Sequence, residues 1–225
     1  MTFVDLHNER KTNEKSKRRI VMGYSNVTDL VGSVSSVYRE KTKEYTDLRI
    51  ALKTTTPLGW QTTIPCVYRF WKGEKIPRIR KGTWLGLFGT VRFAISPEGR
   101  QQAYVQMLNE PSVVLGKSDR IMLNEMVAGG CLHDFNRGDF NETELEANFL
   151  LRAQDPPTGI TYEYCCVVPD YALNNIRLIK DYRDRILVRG SLMMLYDPED
   201  NESSACCIVA DRFEQGKRKH PHSGR

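Results

Sequence analysis

Long hydrophobic runs are missing from this chain of 225 residues. No apolar segment approaches the ~20 residues that a membrane-spanning helix requires, so we expect any membrane contact to be peripheral. The first residues are polar and charged and lack the apolar segment of a secretory signal. Neither end carries a lipid-attachment motif. The sequence therefore predicts a protein that would meet a membrane only through its surface.

Cysteine is present, but without the spacing that a metal site or a disulfide framework needs. The six cysteines include two adjacent pairs, Cys165-Cys166 and Cys206-Cys207, whereas the cysteine ligands of structural zinc are usually separated by two to four residues. Adjacent residues of a strand point to opposite faces and chelate poorly. We therefore expect reduced, buried cysteines, and we predict no metal and no cofactor.

Signatures of catalysis are also scarce. Phosphate-binding loops and dinucleotide fingerprints are absent from the sequence. Cys131, His133 and Asp134 lie close together and could supply a nucleophile, a base and an orienting group, but no catalytic motif surrounds them. We therefore predict no catalytic residues and no enzyme activity.

Charge is abundant, and it is sorted along the chain. Residues 1–118 carry 20 Lys and Arg against 10 Asp and Glu, residues 119–170 carry 3 against 10, and residues 171–225 carry 10 against 8. A basic first part favours contact with polyanions. The acidic middle part could bind the basic surface of another copy, so the sorting also favours self-association.

Two dense basic clusters lie near the ends of the chain. They consist of Lys15, Lys17, Arg18 and Arg19 near the start and of Lys217, Arg218 and Lys219 near the end. Such clusters act as nuclear-import signals, bind nucleic-acid phosphates or bind anionic lipid headgroups. A solvated tail without a partner is the alternative. The sequence predicts import or polyanion contact without choosing the partner.

A third basic segment lies inside the chain, between aromatic residues. Its cations are Lys72, Lys75, Arg78, Arg80 and Lys81, and its flanking rings are Trp71 and Trp84. Interleaved cations and rings suit single-stranded nucleic acid, whose bases stack on the rings, and they also suit a membrane interface. We predict that these residues contact a membrane or nucleic acid. The alternative is a surface loop whose aromatic residues face the core.

Local patterns predict a β-rich chain with two helices. Alternation and β-forming composition indicate strands at 47–55, 83–95, 101–108, 160–168, 185–196 and 205–213. Residues 62–71 fit either a strand or a short helix. Helices are predicted over 141–151, with Asn141 as the N-cap, and over 170–184.

These elements together predict an α+β fold. We expect a single compact domain at 45–213, with a mainly antiparallel sheet and a few helices. A basic flexible N-terminal arm and lead-in would occupy residues 1–44, and a basic tail would occupy residues 214–225. The sequence shows no internal repeat.

The order of features along the chain resembles that of the rhabdovirus matrix proteins, including the plant-infecting, nucleus-replicating kind. The resemblance rests on the basic arm, the strand and turn at 48–59, the apolar strand Thr83–Ile95 and the final hairpin at 188–213. The proline-rich budding motif of the animal-virus members is missing from the arm. The resemblance implies a structural protein of the virion that condenses the nucleocapsid and lines the inner face of the envelope.

The same resemblance implies partners and locations. The partners would be other copies of the chain, the viral nucleoprotein–RNA complex, an anionic membrane surface, a glycoprotein tail and a nuclear import receptor. The protein would be found in the virion and in the host nucleus and cytoplasm, peripheral at membranes.

A second function stays open. Residues 82–107 and 187–213 each resemble half of a small β-barrel, with glycines where a strand must bend. An OB-like barrel would suit a single-stranded nucleic-acid-binding protein, with single-stranded nucleic acid as its partner. Such a protein should show quenching of Trp71 or Trp84 fluorescence by an oligonucleotide, whereas a matrix protein should prefer anionic liposomes.

Overall fold

The computed structural model describes residues 26–95, 101–116, 121–137, 145–154, 161–172, 185–196 and 204–215. Within these ranges the chain forms one short 3-10 helix, Asp170–Ala172, and the following strands: β1 (Asn26–Lys41), β2 (Tyr45–Thr55), β3 (Gln61–Trp71), β4 (Trp84–Ile95), β5 (Gln101–Met107), β6 (Ser112–Val113), β7 (Leu123–Arg137), β8 (Leu145–Gln154), β9 (Thr161–Pro169), β10 (Arg185–Tyr196) and β11 (Ser204–Gln215).

The first five strands close into a ring, which we call the first barrel. β1 pairs with β2, β2 pairs with β3, and β5 runs parallel beside β3. β4 then joins β5 back to β1. Because successive strand residues point to opposite faces, Leu48, Ile50 and Leu52 of β2 all point into the ring, where at most 2% of each is exposed.

Strands β7 to β11 repeat this arrangement and form the second barrel. β7 pairs with β8, β8 with β9, and β11 runs parallel beside β9, while β10 joins β11 back to β7. Its interior contains Phe149 and Leu151 of β8 and Tyr164 and Cys166 of β9, all buried. The strand order of the first barrel is thus repeated, strand for strand.

An asparagine takes the same place in each barrel. Asn26 of β1 donates to the carbonyl of Val91 at 2.9 Å and accepts from its amide at 3.4 Å. Asn124 of β7 donates to the carbonyl of Leu192 at 2.8 Å and accepts from its amide at 2.9 Å. Each side chain continues the hydrogen-bond ladder where the paired backbones have separated. The structure therefore contains an internal repeat that the sequence does not reveal.

A glycine allows the first strand of each barrel to bend close to the second. A Cβ on Gly32 would lie 2.2 Å from the carbonyl oxygen of Lys53, and a Cβ on Gly130 would lie 2.3 Å from that of Arg152. Real Cβ atoms do not approach backbone oxygens so closely, so only glycine fits at these two bends.

The two barrels are joined edge to edge. Residues 26–31 of β1 pair antiparallel with residues 123–128 of β7. The β10–β11 hairpin also reaches the first barrel, where the Tyr196 hydroxyl donates to the Thr63 carbonyl at 2.8 Å. The Met194 amide donates to the Thr62 hydroxyl at 3.1 Å. The hairpin of the second barrel thus borders the outer surface of the first.

The α+β fold class predicted from the sequence is wrong, because the described residues are nearly all β. The sheet is mixed, since β3–β5 and β9–β11 are parallel pairs. Of the predicted helix at 141–151, residues 145–151 belong to β8, and 141–144 lie outside the described residues. Tertiary pairing overrides the helical signal here, because Phe149 and Leu151 alternate into the second barrel while β7 and β9 pair with both edges of β8.

The second predicted helix, at 170–184, is described only at Asp170–Ala172, where the chain forms a 3-10 helix. Residues 173–184 lie outside the described residues. Among the described residues, no helix is long and apolar enough to span a membrane.

The predicted strands are confirmed. Residues 47–55 lie in β2, and 62–71 take the strand alternative as β3. The strands predicted at 83–95 and 101–108 are β4 and β5, which pair antiparallel, and residues 96–100 lie outside the described residues. The strands predicted at 160–168, 185–196 and 205–213 are β9, β10 and β11. β1, at Asn26–Lys41, was not predicted and lies within the segment assigned to the arm and lead-in.

Candidate nucleic-acid interface

The outer surface of the first barrel carries rings and cations side by side. The buried residues of β2 alternate with outward Tyr45, Arg49 and Lys53, and the neighbouring strand β1 adds Tyr38 opposite Arg49. We call this surface the first-barrel face. Its rings and cations are Tyr38, Tyr45, Arg49, Lys53, Arg69, Trp71 and Tyr104.

A groove of about 280 Å³ crosses the first-barrel face. Tyr38, Arg49 and Tyr104 line it from the first barrel, and Tyr196 lines it from the β10–β11 hairpin. Tyr38 is 65% exposed, so its ring is accessible to a planar ligand. Burial raises the pKa of Tyr104 above its ordinary value, so this phenol, already uncharged at neutral pH, is still harder to ionise. The groove thus offers apolar rings beside a guanidinium.

Glu40 holds Arg49 at the edge of the groove. The Arg49 Nε and Nη2 atoms donate to Glu40 Oε2 at 3.0 and 2.8 Å, and the two side chains are 30% and 45% exposed. An ion pair this exposed contributes only ~0–1 kcal/mol. Exchange of the Glu40 carboxylate for another anion at Arg49 would therefore cost little.

Arg69 is fixed more firmly, next to two aromatic rings. Its Nε and Nη2 atoms donate to the two carboxylate oxygens of Asp47 at 2.8 and 3.0 Å, and the Asp47 side chain is only 2% exposed. The hydrogen bond to Asp47 raises the pKa of Arg69. The guanidinium carbon lies 3.7 Å from the centroid of the Tyr45 ring, and Tyr45 meets Trp71 edge-on at 6.0 Å. This cluster orders the rings at one end of the face.

The internal basic segment predicted from the sequence covers one end of the first barrel. Ile79 is buried in the core, and the Arg39 guanidinium donates to the carbonyls of Pro77 and Ile79 at 3.4 Å. All of its predicted cations are exposed, namely Lys72, Lys75, Arg78, Arg80 and Lys81. Lys75 and Arg78 also line a second groove beside Tyr68 and Phe70. Their contact with a membrane or nucleic acid stays a prediction.

The two predicted tryptophans lie in different places. Trp71 ends β3 opposite Tyr45 of β2 and belongs to the first-barrel face. Trp84 begins β4 opposite Ser33 of β1, and β5 separates β4 from β3 in the ring. The structure therefore brings only Trp71 into the candidate interface. The basic clusters at 15–19 and 217–219 lie outside the described residues.

Sequence reasoning missed Tyr38, Arg49 and Tyr104. A signal for Arg49 was present, because the predicted strand at 47–55 alternates and its polar positions must face outward. Tyr38 belongs to the unpredicted strand β1. Tyr104 reaches the same face only because β5 lies parallel beside β3, a pairing of distant segments.

The corresponding face of the second barrel carries different side chains from the first-barrel face. Arg152 of β8 forms an ion pair with Glu163 of β9. Cys165 of β9 lies beside Cys207 of β11 and opposite Leu150 of β8. Cys131 and His133, the candidate nucleophile and base, lie on β7 opposite Arg152 and Leu150. The described residues contain no group of three or more metal-binding side chains.

Known proteins resemble this chain in structure, whereas neither a protein-family model nor a curated protein matches its sequence. The wild-type single-stranded DNA binding protein from Thermus aquaticus is similar, with a TM-score of 0.66 and 16% identity over 90% of this chain and 98% of that chain. A deletion mutant of the same protein gives a TM-score of 0.63 and 17% identity over 90% of this chain and 100% of that chain. The two barrels are OB-folds. At this level of identity the similarity shows the fold.

These neighbours overturn the resemblance to rhabdovirus matrix proteins. Both neighbours are named as single-stranded DNA binding proteins and neither is a virion structural protein, so the fold does not support a matrix protein. The partners that followed from the resemblance, namely viral nucleoprotein–RNA, a membrane surface and a glycoprotein tail, are not supported. The features that suggested a matrix protein were strands and basic segments, which many folds share.

Proposed function

We propose that this protein binds single-stranded DNA on the first-barrel face. The observation that carries the proposal is the groove between Tyr38, Arg49, Tyr104 and Tyr196. It crosses the surface around β2 and β3, which OB-folds use to bind oligonucleotides. The similar structures from Thermus aquaticus are named single-stranded DNA binding proteins, which supports the same class of ligand.

The chemistry of the face fits an unpaired strand. Bases stack on exposed rings such as Tyr38 and Trp71, at ~1–3 kcal/mol per base. Lys53, which is exposed on the same face, and Arg49 are placed for the phosphates between those bases. A duplex keeps its bases stacked on one another, so it could use only the cations. The face should therefore prefer single strands to duplex DNA.

Tryptophan fluorescence tests the proposal. Oligo-dT should quench the fluorescence of the full chain, and the quench should shrink in Trp71→Phe but persist in the matched variant Trp84→Phe. The apparent affinity should fall with salt, because bound phosphates release counterions. Oligo-rU, duplex DNA and anionic liposomes serve as competitors.

Two results would contradict the proposal. One is the absence of any quench or mobility shift with oligo-dT at low salt. The other is displacement of oligo-dT by liposomes or duplex DNA at concentrations equal to those of unlabelled oligo-dT. Stronger competition by oligo-rU would instead reassign the ligand to RNA.

A further inference from the structure

Two cysteines lie side by side on the face of β9 and β11 that points away from the barrel interior, although Cys207 is itself buried there. Cys165 of β9 and Cys207 of β11 are direct partners in the register of these parallel strands. Their sequence neighbours Cys166 and Cys206 point the other way and belong to the buried core. Each cysteine doublet thus places one thiol on the outer face and one in the interior, as alternation along a strand requires.

The first barrel has no thiols at the matching positions. Cys66 pairs with Val105 there, as Cys166 pairs with Ile208 in the second barrel. The residues just before Cys66 and Val105 are Pro65 and Tyr104. The outward thiol pair is therefore a feature of the second barrel alone, and the barrel architecture does not require it.

The two thiols are direct neighbours across the β9–β11 pairing. Cys207 donates a hydrogen bond to the sulfur of Cys165, which lowers the pKa of Cys165 to about 7. Cys165 is half-buried and Cys207 is 1% exposed. The lowered pKa favours the thiolate form of Cys165, and the thiolate is the reactive form. Burial raises the pKa of Cys66, Cys166 and Cys206, which makes these thiols inert.

We propose that Cys165 and Cys207 form an oxidisable dithiol site, which hydrogen peroxide converts into a disulfide between β9 and β11. Neighbouring strands lie ~4.8 Å apart, which is within the Cα separation that a disulfide spans. Since the two residues are direct register partners whose side chains point to the same face, the bond needs little backbone movement.

The reaction has two steps. The Cys165 thiolate attacks one peroxide oxygen, the O–O bond breaks, and the departing hydroxide takes up a proton to give water and a sulfenic acid on Cys165. The Cys207 sulfur then attacks the Cys165 sulfur, the S–O bond breaks, and the hydroxide leaves as a second water with the proton of Cys207. Two thiols thus lose two electrons to one peroxide, and two waters form.

Peptide mapping of the full chain tests the site. Trypsin separates the two doublets into peptides 153–177 and 190–212. After peroxide treatment and alkylation of the remaining thiols, a non-reduced digest should contain these two peptides linked to one another. Dithiothreitol should abolish the link. It should also be lost in Cys165→Ser and in Cys207→Ala, while the matched variants Cys166→Ala and Cys206→Ala should retain it.

Either of two outcomes would overturn the proposal. One is the absence of the linked peptide from folded wild-type protein at a peroxide concentration that prevents alkylation of Cys165. The other is a link that persists in Cys165→Ser, which would assign it to the interior thiols. Circular dichroism identifies any variant that fails to fold, and Cys165→Ser, at the half-buried position, is the variant that decides. The assay contains no DNA, so its result is independent of the proposed ligand.

Discussion

The two barrels have the same backbone plan but different outer faces. Both close in the same strand order, both bend at a glycine in the first strand, and both use an asparagine to extend one ladder. The first-barrel face presents tyrosines and cations around a groove. The second presents an ion pair, Leu150 and a thiol pair. Inward residues and close backbone contacts therefore determine the barrel, and outward residues are free to determine what each barrel does.

The largest effect is expected on stability, at the glycine bends that both barrels share. Gly32→Ala and Gly130→Ala should each lower the free energy of unfolding by about 3 kcal/mol or more, because the new Cβ would overlap a backbone carbonyl of the next strand. Gly86→Ala is the matched control, since its Cβ would have only a Val31 methyl at 3.9 Å and should change stability by less than about 1 kcal/mol. Denaturant unfolding measures all three. If Gly130→Ala lowers the free energy of unfolding only slightly, then only the first barrel requires a glycine at this bend.

The next largest effect is expected on oligo-dT binding, which depends on the outer faces in which the two barrels differ. Tyr38→Ala should weaken oligo-dT binding about ten-fold, because an exposed stacking ring is lost from the groove. Tyr171 of the second barrel is similarly exposed, at 59%, but does not line the groove, so Tyr171→Ala should leave affinity unchanged. Fluorescence titration at fixed salt measures both. An equal loss in Tyr171→Ala would show that the DNA also binds the second barrel.

The smallest effect concerns a pair of exposed arginine–carboxylate contacts, one on each barrel. Glu40→Gln should strengthen oligo-dT binding about three-fold at low salt, because the Glu40 carboxylate no longer competes with phosphate for Arg49. The gain should disappear at high salt, where exposed charges are screened. Glu163→Gln frees Arg152 of the second barrel in the same way and should have no effect. Weaker binding by Glu40→Gln would mean that Glu40 is needed to hold Arg49 in place.

Local sequence pattern predicted most strands but not the strand pairings that close them into barrels. The alternation at 47–55 and the hairpin at 83–108 depend on neighbours in the chain, and both are confirmed. β1 escaped prediction because its run Gly32–Ser36 is rich in small polar residues, and its burial comes from pairing with β2, β4 and β7. The helical signal at 141–151 failed because a capping pattern is weaker than pairing on both edges of β8.

The candidate site was predicted less well than the strands. The sequence indicated basic residues next to aromatic ones, and Trp71 does lie on the first-barrel face. The sequence-based prediction centred the contact site on the segment at 72–81, because contiguous charge is visible in a linear sequence. The groove instead combines Tyr38, Arg49 and Tyr104 from separate strands with Tyr196 from the other barrel, a combination that no local pattern encodes.

By itself the sequence determined most of the extended segments, which faces of those strands are apolar, and where basic charge is concentrated, because these properties follow from the side-chain period of a strand and from composition. Only the tertiary structure decided that the strands close twice into the same barrel, through the parallel pairs β3–β5 and β9–β11. The same closure gathered rings and cations on one barrel and two thiols on the other. Contacts between residues far apart in the chain depend on which strands become neighbours, and local pattern does not specify that choice.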